Sequence, residues 1–218
     1  MSKIDNAVRL AAVAVSAVLA TVVPAQAQTP QKTSVKVGFV TFLSGPAAGP
    51  FGVPAKVAAE AVVESLNAGK APAPYQIKGF GGLPIELVII DEAGGATKQV
   101  AEFRTLVQRQ EVDLVIGYIG SGDCLAVAPV AEELKKLTVL LDCGTPRIFE
   151  EGSYKYVFRT RPHATMDAVA ATLYLLDNRP ATKRVAGINQ NYAFGQDSWN
   201  DFEATIKALK PGIEIATS

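Results

Sequence analysis

Two apolar runs near the middle of the chain each end in small residues that carry hydroxyl groups. The first run, residues 113–119, is followed by Ser121, and the second, residues 138–143, is followed by Gly144 and Thr145. A helix-length segment separates them, which is the pattern of a strand–helix–strand unit. In open parallel sheets, ligands bind outside the carboxyl ends of the strands. We therefore expect Ser121 and Thr145 to point their hydroxyls into one crevice, with the backbone of Cys143 and Gly144 alongside, where they would hold a small polar ligand.

The motifs of the common enzyme classes are absent around these residues. The serine hydrolase motif needs glycine two positions before and after its serine, where this chain has Ile119 and Asp123. The nearby glycines have the wrong spacing for a dinucleotide or phosphate loop. The chain has one histidine, His163, and no Cys-x-x-Cys pair. We expect no catalytic residue, no cofactor and no metal.

Other polar residues near the strand ends have two interpretations each. Asp123 stands at a helix start, where it is either an N-cap or a contact to an amino or amide group of a ligand. Arg147, Arg159 and Arg161 lie close together in sequence, where they are either solvated or attract a carboxylate. Capping and solvation are the commoner outcomes, and the sequence leaves both alternatives open.

Three aromatic residues follow strands in loops that contain glycine. They are Phe51, Tyr192 and Phe194. Loops of this kind supply the apolar walls of small-molecule crevices. We expect these side chains to line the ligand crevice.

The charge of the chain is balanced, with 21 basic and 21 acidic residues. Neither a basic patch nor a polybasic run favours nucleic acid or a membrane surface as a partner. The partner that the sequence favours is a small molecule.

Strand-like and helix-like hydrophobic periods alternate along the chain, which predicts a parallel sheet with right-handed crossovers. The predicted strands cover residues 35–43, 85–91, 113–119, 138–143, 154–160, 184–189 and 213–216. The predicted helices cover residues 52–67, 97–110, the segment between the two central runs, 163–178 and 195–209. Pro129 lies in the third helix, so we expect a late helix start or a kink there. The fold class is therefore α/β, with helices flanking a doubly wound, mostly parallel sheet.

The first 27 residues have the features of a secretory signal peptide. Lys3 and Arg9 provide positive charge, residues 10–23 are apolar, and Ala25-Gln26-Ala27 is a small-x-small cleavage pattern. The apolar run is shorter than the roughly 20 residues that a membrane span needs. We expect cleavage after Ala27, export to the periplasm, and a mature N-terminal tail at residues 28–34.

Export changes the interpretation of the two cysteines, Cys124 and Cys143. Both lie near the carboxyl ends of the two central runs, which parallel pairing would bring close together. In an oxidising compartment such a pair is more often a disulfide than two free thiols. A disulfide here would stabilise the fold by roughly 3 kcal/mol in the chain-entropy model.

A break near residues 147–160 separates two sets of strands. The first set holds four strands, and the second holds only two clear ones. Two strands bury too little surface to be stable alone. We therefore expect a first lobe at residues 35–158, an incomplete second lobe at residues 159–218, and a chain that is the N-terminal fragment of a longer protein.

The order and spacing of short motifs from about residue 34 onward resemble the solute-binding proteins of ABC importers, of the leucine/isoleucine/valine type. The matching segments are Val35-Lys36-Val37-Gly38, Leu43-Ser44-Gly45-Pro46, Phe51-Gly52, Asp91-Glu92, Val115-Ile116-Gly117, Ser121, Ala128-Pro129-Val130-Ala131-Glu132, Gly144-Thr145-Pro146, Phe158-Arg159-Thr160 and Asn191-Tyr192-Ala193-Phe194-Gly195. Each motif is loose alone, but together they are specific.

This resemblance implies a two-lobed periplasmic-binding fold that closes on its ligand by hinge motion. It implies that Ser121 and Thr145 hold the polar ends of an amino acid, an amide or a small carboxylate, and that Phe51 and either Tyr192 or Phe194 pack against it. It also implies a monomer that delivers the ligand to the membrane permease of an importer. The alternatives are the sensing domain of a receptor with the same fold and, more distantly, an exported hydrolase.

Overall fold

The structure is a computed structural model that describes residues 32–216. The predicted signal peptide and most of the predicted tail lie outside the described residues. Cleavage after Ala27 and the tail at residues 28–34 therefore stay predictions.

In the described range, seven strands form two sheets, and every strand pair is parallel. The five-stranded sheet has the order β2-β1-β3-β4-β5, and the two-stranded sheet pairs β6 with β7. The strands are β1 (Val35–Thr41), β2 (Ile85–Asp91), β3 (Leu114–Gly117), β4 (Thr138–Leu140), β5 (Val157–Arg159), β6 (Arg184–Val185) and β7 (Glu214–Ile215).

Helices connect successive strands, and a π-helical turn at Ala48–Gly52 precedes the first of them. The helices are α1 (Val53–Asn67), α2 (Gly95–Gln108), α3 (Ser121–Glu133), α4 (Arg147–Glu150), α5 (Ala164–Asn178) and α6 (Ala193–Leu209). None of the helices between residues 32 and 216 is long and apolar enough to cross a bilayer.

The main core lies between the five-stranded sheet and helices α2 and α3. Apolar residues recur along α2 at helical spacing, so that Phe103 and Leu106 face inward and are fully buried. Val115 of β3 and Leu140 of β4 belong to the same core cluster. This packing fixes the carboxyl ends of β1, β3 and β4 beside one another.

The strand order reverses beside β1. The chain passes from β1 to β2 on one side and then returns to place β3 on the other side of β1. In open parallel sheets, a crevice forms outside the carboxyl ends of the strands at such a reversal. The sheet order therefore locates the candidate site at the loops that follow β1 and β3.

The structure confirms the predicted α/β fold class with a parallel sheet flanked by helices. It differs from the sequence prediction in that the first sheet has five strands and not four, because β5 pairs with β4. The strand predicted at residues 184–189 is shorter, since β7 offers only two residues to pair with it. The division into lobes at residue 158 stays a prediction.

Helix α3 does not start late, as one of the alternatives for Pro129 proposed. It begins at Ser121 and continues past Pro129 to Glu133. Pro129 lies on the exposed side of the helix. Water can therefore bond the carbonyl of Leu125, which has lost its backbone partner in the helix.

Candidate ligand-binding site

A cavity of about 670 Å³ opens at the strand-order reversal. Loops that follow β1, β3, β4 and β5 form one part of its wall, and the segment that leads into α6 forms the other. The lining residues are Phe42, Pro46, Ala47, Pro50, Phe51, Ile119, Asp142, Arg161, Ile188, Asn189, Gln190, Tyr192, Phe194, Gly195 and Ser198.

Aromatic side chains approach the cavity from both parts of the wall. Phe42 follows β1, and the π-helical turn presents Phe51, whose side chain is 50% exposed. Tyr192 and Phe194 stand at the start of α6, with their ring centroids 6.2 Å apart. The cavity can therefore enclose a flat or branched apolar group.

Two charged side chains, Asp142 and Arg161, line the cavity and form an ion pair. Arg161 Nη1 donates to Asp142 Oδ1 at 2.8 Å. The guanidinium also lies over the Phe194 ring, 5.7 Å from its centroid. Burial raises the pKa of Tyr192, the Asp142 charge raises it further, and Arg161 acts in the opposite direction. We call Asp142, Arg161, Phe42, Phe51, Tyr192 and Phe194 the cavity wall.

The hydroxyls of Ser121 and Thr145 do not face this cavity. Both residues are fully buried, and the Thr145 backbone N–H donates to Ser121 Oγ at 3.2 Å. Thr145 Oγ1 donates to Asp197 Oδ2 in α6 at 2.5 Å. In this structure each of the two side-chain oxygens is hydrogen-bonded within the protein, and neither residue is part of the cavity lining. That they contact a ligand stays a prediction.

The two backbone N–H groups that immediately precede α3 are bonded to a side chain of the protein itself. Glu92 follows β2, and its carboxyl group accepts from the backbone N–H of Ile119 at 2.9 Å and of Gly120 at 2.6 Å. Amide groups at a helix start are where a bound anion would otherwise sit. A ligand carboxylate would have to displace Glu92 to use them.

Glu92 and Asp123 bring two carboxyl groups together beneath Gly120. Burial raises the pKa of Glu92 to about 8, the two backbone bonds oppose this, and the Asp123 charge adds to it. Burial also raises the pKa of Asp123 to about 6, against a bond from Glu92. A side chain on Gly120 would place its Cβ 2.5 Å from Asp123 Oδ2. A side chain at position 120 would therefore displace the Asp123 carboxyl group, and the burial of the two carboxyl groups is the main cause of their raised pKa values.

The predicted disulfide between Cys124 and Cys143 is confirmed. Both cysteines are fully buried, and the bond joins the first turn of α3 to the loop after β4. Arg159 Nη1 also donates to the carbonyl oxygen of Thr145 at 2.6 Å. The disulfide and the bond from Arg159 therefore both restrain residues 142–145. We call Glu92, Ser121, Asp123, Cys143 and Thr145 the buried layer.

Gly144 is where the buried layer meets the cavity wall. A Cβ atom there would lie 2.4 Å from the Phe194 ring. The Gly144 carbonyl also accepts from the backbone N–H of Ala164 at 2.7 Å. The absence of a side chain lets Phe194 lie directly on the loop that carries Asp142.

A sequence profile of the family described as periplasmic binding protein matches residues 34–217. The chain belongs to the periplasmic binding protein family.

Solved structures of solute-binding proteins resemble this periplasmic binding protein in fold. A Rhodopseudomonas palustris ABC transporter solute-binding protein, in complex with 4-hydroxybenzoate, is 23% identical with a TM-score of 0.68, over 85% of this chain and 47% of that one. A second from R. palustris BisB5, with 3,4-dihydroxybenzoic acid, is 21% identical with a TM-score of 0.66, over 84% and 46%. LivJ from Streptococcus pneumoniae, a branched-chain amino acid transporter substrate-binding protein with isoleucine, is 19% identical with a TM-score of 0.68, over 80% and 47%.

This periplasmic binding protein therefore spans about half the length of the solved structures that it matches. No curated protein sequence matches it.

Of the residues that the sequence proposed for ligand contact, three line the cavity of this periplasmic binding protein. They are Phe51, Tyr192 and Phe194. The other four are not in the lining, and all of them are buried. These four are Ser121, Cys143, Gly144 and Thr145.

Asp142 and Glu92 are not among the site residues predicted from the sequence. For Arg161 the sequence leaves both solvation and attraction of a carboxylate open. Asp142 and Glu92 both follow strands of the sheet, so the strand-end rule that selected Ser121 and Thr145 applied equally to them. Ile119 and Phe42 follow β3 and β1 and line the cavity for the same reason. The sequence does not show which side chains at the strand ends point into the cavity and which are buried in the protein.

Proposed function

We propose that this protein is the solute-binding component of an ABC importer, and that it binds a small molecule between two lobes outside the cytoplasm. Membership of the periplasmic binding protein family supports the proposal, as does the fold shared with solved solute-binding proteins. The partner would be the membrane permease of the importer. The exported protein would act as a monomer and carry out no chemistry.

The observation that carries this proposal is the composition of the cavity. Its walls come from loops at the carboxyl end of the five-stranded sheet and from the segment that precedes and begins α6. With a lobe boundary at residue 158, Phe42, Phe51 and Asp142 would belong to the first lobe, and Arg161, Tyr192 and Phe194 to the second. A ligand that touches both would hold the lobes together, which is how hinge closure captures a solute.

The cavity fits a small molecule that combines an apolar body with a polar group. Four aromatic rings, at Phe42, Phe51, Tyr192 and Phe194, supply apolar surface, and the Asp142–Arg161 pair supplies charge. We propose an amino acid, an amide or a small carboxylate as the ligand, with aromatic acids favoured by the rings. The neighbours solved with 4-hydroxybenzoate and with isoleucine are consistent with this range.

Isothermal titration calorimetry of the full-length natural protein tests the proposal. The probes are 4-hydroxybenzoate, 3,4-dihydroxybenzoate, L-phenylalanine and L-isoleucine, with ribose as a control solute that has neither an apolar body nor an ionisable group. We expect saturable binding of at least one probe, no binding of ribose, and recovery of the bound probe unchanged. Conversion of the probe to a product, or the absence of binding to all four, would contradict the proposal.

A further inference from the structure

We infer that Asp142, held in place by Arg161, selects ligands that carry a hydrogen-bond donor, either a hydroxyl or an ammonium group, on an apolar body. The inference rests on the proposed function and narrows its ligand class.

The carboxylate of Asp142 has one oxygen engaged and one available. Oδ1 accepts from Arg161 Nη1 at 2.8 Å, whereas Oδ2 has no hydrogen-bond partner among residues 32–216. The side chain is 38% exposed and lines the cavity. The Asp142 backbone N–H donates to the Tyr118 carbonyl oxygen at 3.1 Å, which anchors the main chain. A fixed acceptor therefore faces the space that a ligand would fill.

Arg161 is poorly placed to bind a ligand carboxylate, because its donors are already used. Nε donates to the Pro162 carbonyl oxygen at 2.9 Å, and Nη1 donates to the Asp142 carbonyl oxygen at 3.2 Å as well as to Oδ1. Nη2 donates to Asp167 Oδ2 at 3.3 Å. A guanidinium has five N–H groups, and a bidentate carboxylate needs two free ones side by side. With four contacts made, Arg161 orients Asp142 and does not offer that pair.

The neighbouring aromatic rings determine what kind of ligand molecule can carry the hydrogen-bond donor. Phe194 lies under the Arg161 guanidinium, and Tyr192 stands beside Phe194. A donor bonded to Asp142 Oδ2 therefore belongs to a molecule whose body packs on these rings. Phenols and apolar amino acids both meet this description, and they differ in whether the donor is neutral or charged.

Calorimetry on the full-length natural protein with two matched pairs of probes distinguishes a hydroxyl donor from an ammonium donor. The first pair, 4-hydroxybenzoate and benzoate, differs only in the hydroxyl. The second pair, L-phenylalanine and 3-phenylpropanoate, differs only in the ammonium. We expect the donor-bearing member of at least one pair to bind about tenfold more tightly or better, which is the effect of one hydrogen bond to a charged acceptor. The pair that shows the preference identifies the donor as hydroxyl or ammonium.

The variant Asp142→Asn tests whether Asp142 causes the preference. Arg161 would bind the amide oxygen of the new side chain, which turns its NH₂ group toward the cavity in place of Oδ2. We expect the preference for the ammonium to fall to within about twofold, because an acceptor has been exchanged for a donor, and the preference for the hydroxyl to fall less, because a phenol oxygen can accept from the new NH₂ group. Asp167→Asn is the control, since Asp167 also bonds Arg161 but is not part of the lining, and it should keep the preference.

Equal binding within both pairs by the unaltered protein would overturn this inference and leave the proposed function standing. An ammonium preference that survives in Asp142→Asn, or a hydroxyl preference that is undiminished there, would also overturn it, because another group would then be the acceptor. Binding of none of the four probes would overturn the proposed ligand class together with this inference. If the variant does not fold, equal binding within both pairs by the unaltered protein would still overturn the inference.

Discussion

The buried layer and the cavity wall are built from the same strand ends, yet their polar groups are in opposite situations. Ser121 and Thr145 are fully buried and bonded to each other, whereas Asp142 lines the cavity and its Oδ2 has no hydrogen-bond partner among residues 32–216. Asp142 and Cys143 are neighbours in the chain, but one lines the cavity and the other forms the buried disulfide. The difference teaches that a strand-end position brings a residue near the site, and that the direction of its side chain decides whether it serves stability or binding.

The comparison predicts that changes in the buried layer alter the free energy of unfolding, and that changes in the cavity wall alter affinity. Three measurements test this separation.

The largest expected effect comes from Glu92, through the pH dependence of stability. Burial and the Asp123 charge raise the pKa of Glu92 to about 8, well above the ordinary value for glutamate. Between about pH 5 and about pH 8 the folded protein therefore holds a proton that the unfolded chain has released, so the free energy of unfolding falls as pH rises, by up to about 1.4 kcal/mol per pH unit. Glu92→Gln, which keeps an oxygen acceptor, should remove most of this slope in urea unfolding.

Asp91 provides the matched control for Glu92. Burial opposes its charged form, but bonds from the Ser44 hydroxyl and the backbone N–H groups of Ala93 and Leu43 prevail and lower its pKa to about 2. Its contribution to stability is present above about pH 4 and is lost as pH falls through about 2. Asp91→Asn should therefore leave the slope between about pH 5 and about pH 8 unchanged. An equal slope in Glu92→Gln and the unaltered protein would refute the assignment.

A smaller effect on stability is expected from Ser121→Ala. The variant leaves the buried Thr145 N–H without its acceptor, which costs about 1–2 kcal/mol of unfolding free energy. Affinity for 4-hydroxybenzoate should stay within about twofold. Ser198→Ala is the control, because Ser198 lines the cavity and bonds only the carbonyl of its own helix, so its loss should change stability by less than about 0.5 kcal/mol.

A loss of affinity without a loss of stability in Ser121→Ala would contradict the separation between the buried layer and the cavity wall. A tenfold loss of affinity with an unchanged melting curve would show that Ser121 contacts the ligand after rearrangement, as its position in the sequence suggests.

The smallest effect is expected from Phe51→Ala in the cavity wall. Because half of this side chain is exposed, the free energy of unfolding should change by less than about 0.5 kcal/mol. The lost apolar contact should weaken the binding of 4-hydroxybenzoate by about 1 kcal/mol, or about fivefold. Phe80→Ala removes an exposed ring outside the lining and should change neither quantity. If both variants bind equally well, Phe51 does not belong to the site.

Much of the fold could be predicted from the hydrophobic periodicity within each segment. Strand β2 occupies the predicted residues 85–91, and α5 differs from its prediction only at the first residue. The weakest predictions concern β6 and β7, where only two residues pair in each strand. The length of a strand depends on how many residues of the neighbouring strand pair with it. The local sequence therefore does not determine that length.

Part of the candidate site was also accessible from the sequence. Aromatic residues in glycine-containing loops after strands had to lie near the strand ends, and Phe51, Tyr192 and Phe194 do line the cavity. The proximity of Cys124 and Cys143 followed from the two neighbouring parallel strands. These successes rest on positions along the backbone, which the alternation of strands and helices determines.

The sequence by itself determined the α/β class, the parallel order of successive units and the edge of the sheet where the cavity opens. Only the tertiary structure decided which polar groups turn into that cavity. Glu92 accepts from the backbone N–H groups of Ile119 and Gly120, and Ser121 Oγ accepts from the Thr145 N–H. The physical reason is that buried hydrogen-bonding groups must find partners, and segments distant in sequence compete to supply them. That competition left Asp142 facing the open space.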